Sequence, residues 1–127
     1  MKLYAPSTIE AIKEKHRFQL SKSLGQNFIT DKHVIERIVE GADPSEKDLV
    51  IEIGPGIGVL TAEAAQQAAK VIAIEIDSKL IPILGETLAE YDNVEVINQD
   101  ILKTDLNGII DEQRQLGNFT GDVKIIG

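Results

Sequence analysis

The chain has 127 residues, no cysteine and a net charge of −8. That length holds one domain burying about two thirds of its unfolded surface, and the missing cysteines exclude disulfides and thiolate metal sites. No apolar run is long enough for a signal peptide or a membrane span, so a soluble, cytoplasmic protein is expected.

The charge is unevenly spread. Residues 1–24 carry Lys2, Lys13, Lys15, Arg17 and Lys22 against Glu10 and Glu14, a net +3 that leaves −11 for the remainder. A wholly acidic surface is a poor match for phosphate backbones, so the basic leader is the one electrostatic hint of RNA. On charge alone it reads first as a solvated helix face.

In chain order, residues 7–17 are predicted helical, because Ser7 and Glu10 have capping-box spacing and Ile9 and Ile12 share a face. Residues 20–28 contain Gly25 without clear periodicity and read as an ordered loop. A second helix is expected to start near Thr30 or Asp31, bury Val34, Ile35, Ile38 and Val39, and end at Gly41 with Asp43 and Pro44. Leu49–Ile53 is the first predicted strand, and a helix follows over about Gly58–Ala69, with Leu60, Ala64 and Ala68 on one side. Val71–Glu75 is nearly uninterrupted apolar sequence, as expected of a parallel strand covered on both faces. Ser78 can cap the next helix, where Pro82 sits early enough to be tolerated. Strands at Val94–Ile97 and Val123–Ile126 flank a helix at Leu106–Leu116. The order helix-helix-β-α-β-α-β-α-β predicts a doubly wound α/β fold.

The most informative stretch is Glu52-Ile53-Gly54-Pro55-Gly56-Ile57-Gly58, followed seventeen residues later by Glu75 at the tip of the second strand. A buried strand, a glycine loop, a helix and an acid on the next strand are how an open sheet grips an adenosine-bearing cofactor. Dinucleotide sites favour G-x-G-x-x-G, whereas here Val59 stands at the third glycine position. This spacing, with Glu52 two residues ahead, fits S-adenosylmethionine better than NAD. Glu75 suits the ribose hydroxyls and Asp100, after the third strand, the adenine amino group. Ile76 and Ile101 could sandwich the ring, while Gly54 and Gly56 let the backbone approach the methionine portion. Each carboxylate alone reads as a solvated strand-end acid. Together, behind consecutive buried strands and one glycine loop, they read as a site. His16 and His33 are isolated and lack ligand-spaced partners, so no metal site is expected. Asp105, Asp111 and Glu112 read as helix-start or solvated acids.

Lys22-Ser23-Leu24-Gly25-Gln26-Asn27-Phe28, Glu52 to Thr61, Ile74-Glu75-Ile76-Asp77 and Gln99-Asp100-Ile101-Leu102 closely resemble the KsgA family, the small-subunit ribosomal RNA adenine dimethyltransferases. The resemblance runs from about residue 7 to the last residue. It implies a partial Rossmann-like S-adenosylmethionine-dependent methyltransferase fold of about four parallel strands. Residues 1–45 would hold N-terminal helices and a cofactor-contacting segment, and 46–127 the Rossmann-like part. Asn27 and Ile29 would touch the cofactor, Gly54 its methionine end, Glu75 the ribose and Asp100 the adenine. The family transfers two methyl groups to N6 of each of two adjacent adenosines near the 3′ end of small-subunit rRNA, in ribosome maturation. In that context Lys13, Lys15, Arg17 and Lys22 become candidates for guiding RNA.

The family's catalytic Asn-Leu-Pro-Tyr motif would begin after Gly127, directly behind the fourth strand, and the later strands and a C-terminal helical domain would follow it. Gly127 thus serves as a boundary, and no catalytic residue is expected before it. The chain reads as a truncated domain, able to bind cofactor but not to catalyse, belonging to a whole enzyme expected to be monomeric. The bare fourth strand, protected only by Lys124, could support self-association. Three alternatives stay open. The macrolide-resistance methyltransferases of large-subunit rRNA are close relatives, though their loop more typically carries Ser and Lys where Pro55 and Ile57 stand here. A non-catalytic methyltransferase-like module in ribosome assembly and a dinucleotide oxidoreductase are the others.

Overall fold

The computed structural model describes residues 31–127, and Ala11. The predicted first helix and the loop at 20–28 lie outside the described residues. Helix α1 spans Lys32–Ala42, and the Asp31 carboxylate caps it by accepting the amides of His33 at 2.9 Å and Val34 at 3.4 Å. The helix runs past Gly41 and stops at Asp43. There φ is +47°, a left-handed turn that a short polar side chain tolerates, and the Asp43 amide returns to the Val39 carbonyl. Ile35 and Val39 are buried, whereas Val34, expected in that stripe, is 41% exposed. Val34 lies one residue, about 100° of helix, away from Ile35 and so falls on the flank of the buried face.

Strands β1 (Leu49–Ile53), β2 (Lys70–Glu75), β3 (Val94–Asn98) and β4 (Val123–Ile126) form one parallel sheet in the order β3-β2-β1-β4. Between them run α2 (Val59–Ala65), a 3₁₀ turn (Ser78–Leu80) leading into α3 (Ile81–Thr87), a second 3₁₀ turn (Ile101–Lys103) and α4 (Leu106–Gln115). The strand order reverses at β1, so the chain leaves its two sides in opposite directions and opens a crevice at the strands' C-terminal ends.

Alternation along β1 and β2 sorts the core into two layers. Val50 and Val71 face Ile35, Val39, Leu60, Ala64 and Leu84 from α1–α3, while Leu49, Ile51, Ile72 and Ile74 face α4 and Phe119. Burying such a side chain fully contributes about 1.5–3 kcal/mol, so the inner strands anchor everything attached to their tips.

Helix α2 and the turn after β2 depart from the sequence-based reading. Helix α2 ends at Ala65 rather than Ala69: the Ala69 amide bonds the Asp48 carbonyl at 2.9 Å, and Asn93 Nδ2 donates to the carbonyls of Ala65 and Ala68. Those tertiary bonds override the helix propensity of the alanines. The turn after β2 is capped by Asp77, whose carboxylate accepts the Lys79 amide at 3.0 Å, and not by Ser78. The helical hydrogen bonding begins one residue earlier than expected, which makes Asp77 the flanking residue. Pro82 is tolerated as predicted, in the first turn of α3.

Candidate functional site

The glycine loop joins β1 to α2 at the crevice. Gly54, Gly56 and Gly58 have φ of +71°, +61° and +93°, values that a residue with a Cβ adopts only under strain. The Gly54 amide donates to the Ile74 carbonyl and the Gly58 amide to the Pro55 carbonyl, both at 2.9 Å. On the far side, the buried Thr87 hydroxyl donates to the Ile57 carbonyl at 2.8 Å, which pins the loop to the end of α3. Above Gly54 there is room: no heavy atom of the described residues lies within 4 Å of where its Cβ would stand.

Glu75 ends β2 and is buried. One carboxylate oxygen accepts the Gly56 amide at 3.3 Å and the other the Asp77 amide at 3.0 Å. The acid predicted for the ribose is thus fastened to the glycine loop on one side and to its own strand's exit on the other. Its carbonyl is tied as well, accepting from Asn98 Nδ2 at 2.8 Å and from the Gln99 amide at 3.1 Å. Asn98, at the tip of β3, also donates to the Ile76 carbonyl at 3.3 Å, and so bridges the two strand exits. Sequence reasoning missed it. An amide side chain at the last position of an edge strand was the available signal.

Glu52 is the second missed residue. It served in the sequence as a marker ahead of the glycine loop without a role of its own. It points to the α1–α3 face of β1, is buried, and accepts the hydroxyl proton of Thr61 from the first turn of α2. Burial pushes its carboxyl up to about 7; the Thr61 hydroxyl opposes the rise and the nearby Glu75 charge adds to it. An acid inside an otherwise apolar strand was the sequence signal.

Gly127 has a packing role that the sequence did not show. The sequence used it only as the boundary after which the catalytic motif would begin. In the structure it follows β4 with φ +136° and lies against the tip of β1. A Cβ there would collide with the Ile53 carbonyl oxygen and stand 3.0 Å from the Ile53 nitrogen. Position 127 is therefore a close backbone approach that only glycine permits, and it belongs to the packing of the strand tips. It has no side chain to offer to chemistry.

Around the rim, Ile76 is 56% exposed and Ile101 half-buried against the α4 layer. Asp100 caps the 3₁₀ turn after β3 through the Leu102 amide at 3.0 Å, and its carbonyl accepts the Thr104 hydroxyl at 2.7 Å. Gly54, Gly56, Glu75, Ile76, Asp100 and Ile101 therefore all stand at the C-terminal ends of β1, β2 and β3. Asn27, Ile29, Lys13, Lys15, Arg17 and Lys22 lie outside the described residues. Among the described residues no group of three or more His, Cys, Asp or Glu side chains could hold a metal, and no helix is long and apolar enough to cross a membrane.

The sequence profile of ribosomal RNA adenine dimethylases matches residues 17–123. The chain belongs to that family. Among its dimethylase relatives, the "Ribosomal RNA small subunit methyltransferase A" of Alkaliphilus metalliredigens is 61% identical over 109 residues, covering 86% of this chain and 38% of the relative. The protein of the same name from Alkaliphilus oremlandii is 52% identical over 126 residues, covering 98% and 42%. The chain thus spans about two fifths of the length of these curated relatives. Among solved structures, a dimethyladenosine transferase from Plasmodium falciparum superposes with a TM-score of 0.57 at 35% identity, over 60% of this chain and 28% of that one. The 23S rRNA methyltransferase ErmE gives 0.60 at 42% identity, over 62% and 32%. The four-stranded parallel sheet is accordingly a partial Rossmann-like methyltransferase fold, as the dimethylase resemblance implied.

Proposed function

We propose that this chain forms the S-adenosylmethionine-binding part of an enzyme that dimethylates N6 of two adjacent adenosines near the 3′ end of small-subunit rRNA. The observation that carries this reading is the Glu75 carboxylate, held at the tip of β2 by the Gly56 and Asp77 amides beside an open Gly54. A carboxylate so placed accepts bonds from vicinal ribose hydroxyls, and the space over Gly54 admits the methionine end of the same molecule. Ile76 and Ile101 offer apolar surface for the adenine and Asp100 an acceptor for its amino group. The residues present fit this cofactor. The N-terminal segment with Asn27 and Ile29 adds to the same site in this reading, and residues 1–45 and 46–127 are its two parts.

The cofactor supplies the electrophilic methyl group. An adenine N6 is a weak nucleophile because its lone pair is delocalised into the ring, so catalysis rests on orientation and on fixed acceptors rather than on a strong base. The described residues serve the first need: they fix the nucleoside end of the cofactor relative to the sheet. The target adenosine must be unstacked or presented single-stranded to reach it. Lys13, Lys15, Arg17 and Lys22 are proposed as a basic guide for that RNA, with binding that weakens as salt rises. The small ribosomal subunit or its precursor is the proposed partner and the cytoplasm the proposed location.

The similarity to ErmE favours a second reading, methylation of large-subunit rRNA. Pro55 and Ile57 in the glycine loop, together with the name carried by the most similar curated relatives, support the small-subunit substrate over it.

Calorimetric titration with S-adenosylmethionine, alongside a Glu75→Ala variant, tests the cofactor reading. Binding that the substitution weakens about a hundredfold is expected. A folded chain that binds NADH but neither S-adenosylmethionine nor S-adenosylhomocysteine would sink the proposal.

A further inference from the structure

Glu52 and Glu75 lie on adjacent strands and on the same face of the sheet. Glu52 pairs in register with Ala73, two residues before Glu75, so the carboxylates are diagonal neighbours beneath the glycine loop. They are 2% and 4% exposed. Their hydrogen bonding differs sharply. Glu75 accepts two backbone amides, donors that stabilise a carboxylate, whereas Glu52 accepts one hydroxyl. From α2 the group facing Glu52 is Thr61, and from β2 it is Glu75; β4 presents Ile126 at the paired position, and α1 presents Ile35 and Val39 to the same apolar layer. No basic side chain of the described residues acts on it. Among the described residues no cation stands between these two buried acids, so they do not both stay ionised there, and the one with fewer donors keeps the proton.

The geometry points to a role beyond that of a structural strand residue. We propose that Glu52 selects cofactor charge: it holds a proton in the free chain and releases it to solvent when a sulfonium cofactor enters, favouring S-adenosylmethionine over its neutral thioether product. This rests on the cofactor reading above. Before methyl transfer the cofactor brings a positive sulfur to a site already holding the Glu75 charge, and a second carboxylate then gains a counter-ion. After transfer that charge is gone and Glu52 takes up a proton again, which weakens the hold on S-adenosylhomocysteine. The burial-driven rise of the Glu52 carboxyl to about 7 puts this exchange within the ordinary pH range.

The test is proton counting. Calorimetry at pH 6.5 in two buffers of different ionisation enthalpy gives protons released per cofactor bound, for the chain and for Glu52→Gln. The cofactor's own amine contributes equally to both, so the difference reports Glu52. Release of about 0.7 more proton by the chain than by the variant is expected with S-adenosylmethionine, and much less with S-adenosylhomocysteine. The variant should also lose part of the preference for the sulfonium. Equal proton numbers with intact binding overturn the inference and leave the cofactor reading standing; binding of neither cofactor overturns both. Should Glu52→Gln fail to fold, carbon-13 titration of the assigned Glu52 carboxyl in the unmodified chain decides. A midpoint near neutral that moves down on adding S-adenosylmethionine supports the proposal, and a midpoint in the usual carboxylate range refutes it.

Discussion

The inner strands β1 and β2 and the outer strand β3 reach the same rim of the sheet, yet they deliver their functional residues in different states. At the inner tips, Glu52 and Glu75 are buried, the loop glycines are locked by amide and hydroxyl bonds, and Thr87 braces the loop from behind. At the outer tip, Asp100 and Ile101 sit half-buried in a short 3₁₀ turn and Leu102 is 90% exposed. The contrast follows from position in the sheet. A strand flanked on both sides and covered on both faces imposes its geometry on whatever its end carries. An edge strand leaves its exit to local capping. The end of the site proposed for the ribose is thus built by the fold, and the end proposed for the adenine by a turn.

The largest expected effect that separates the two tips is on stability against pH. The folded chain keeps the Glu52 proton up to about 7, whereas an unfolded glutamate loses it near 4.5. Between those values the native state binds more protons, so stability falls as pH rises, by on the order of 3 kcal/mol across the window. Below it the protonated form's contribution is fully present. Urea unfolding at pH 5 and pH 7.5 should show this fall in the chain and a smaller one in Glu52→Gln. Parallel behaviour of the two would mean that Glu52 ionises normally.

Next come the two carboxylates at the rim. Glu75→Ala removes the acceptor of two amides as well as the proposed ribose contact. It should weaken S-adenosylmethionine binding about a hundredfold, given about 1.5–3 kcal/mol for each charge-assisted hydrogen bond. Asp100→Ala should cost about tenfold, one such bond from a site that solvent already reaches. Calorimetry of both side by side checks the ranking, and a larger loss at Asp100 would reverse the picture of a built inner end and a lightly held outer one.

The glycines sharpen the comparison within the inner tip itself. A Cβ on Gly58 would stand 3.1 Å from both Leu88 Cδ2 and Thr87 Oγ1, and the backbone there has φ +93°. Gly58→Ala should therefore lower stability by about 2 kcal/mol or more, combining left-handed strain with crowding. Gly54→Ala meets nothing within 4 Å among the described residues and should cost about 1 kcal/mol by strain alone, with its larger consequence in cofactor binding. Thermal unfolding of the pair without ligand separates the two causes.

The same division explains what the sequence made legible. β1 and β4 were predicted at their observed bounds because short apolar runs bracketed by turn residues leave little choice. The position of Glu75 followed from the strand it ends, and the parallel α/β layering from the alternation of strands and helices. Features that depend on partners distant in sequence were not legible. The early end of α2 is decided by Asp48 and Asn93, the first before the helix and the second nearly thirty residues after it. The cap at Asp77 rather than Ser78 depends on which residue the 3₁₀ turn selects, and both side chains are able cappers. Asn98 looks like an ordinary strand-end amide until β2 and β3 are placed side by side. Gly127 reads as a mere boundary until β4 is set against Ile53 of β1. Glu52 was visible as a motif letter, but its burial and neutral-range carboxyl require Thr61 and Glu75 to be brought against it.

Leu102 offers the smallest expected effect and isolates the outer tip most cleanly. It follows Asp100 and Ile101 in the turn, and with 90% of its surface exposed it contributes almost nothing to the core. Leu102→Ser should leave the unfolding midpoint of this chain within about 0.5 kcal/mol of the original, the usual range for a surface change away from any cap or buried bond. The cap itself is untouched, because Asp100 bonds the Leu102 amide rather than its side chain. S-adenosylmethionine affinity should also hold, since the proposed adenine contacts come from Asp100 and Ile101. A drop in stability well beyond that range would mean that the apolar side chain is covered in solution, and that the tip of β3 is as firmly built as the tips of β1 and β2.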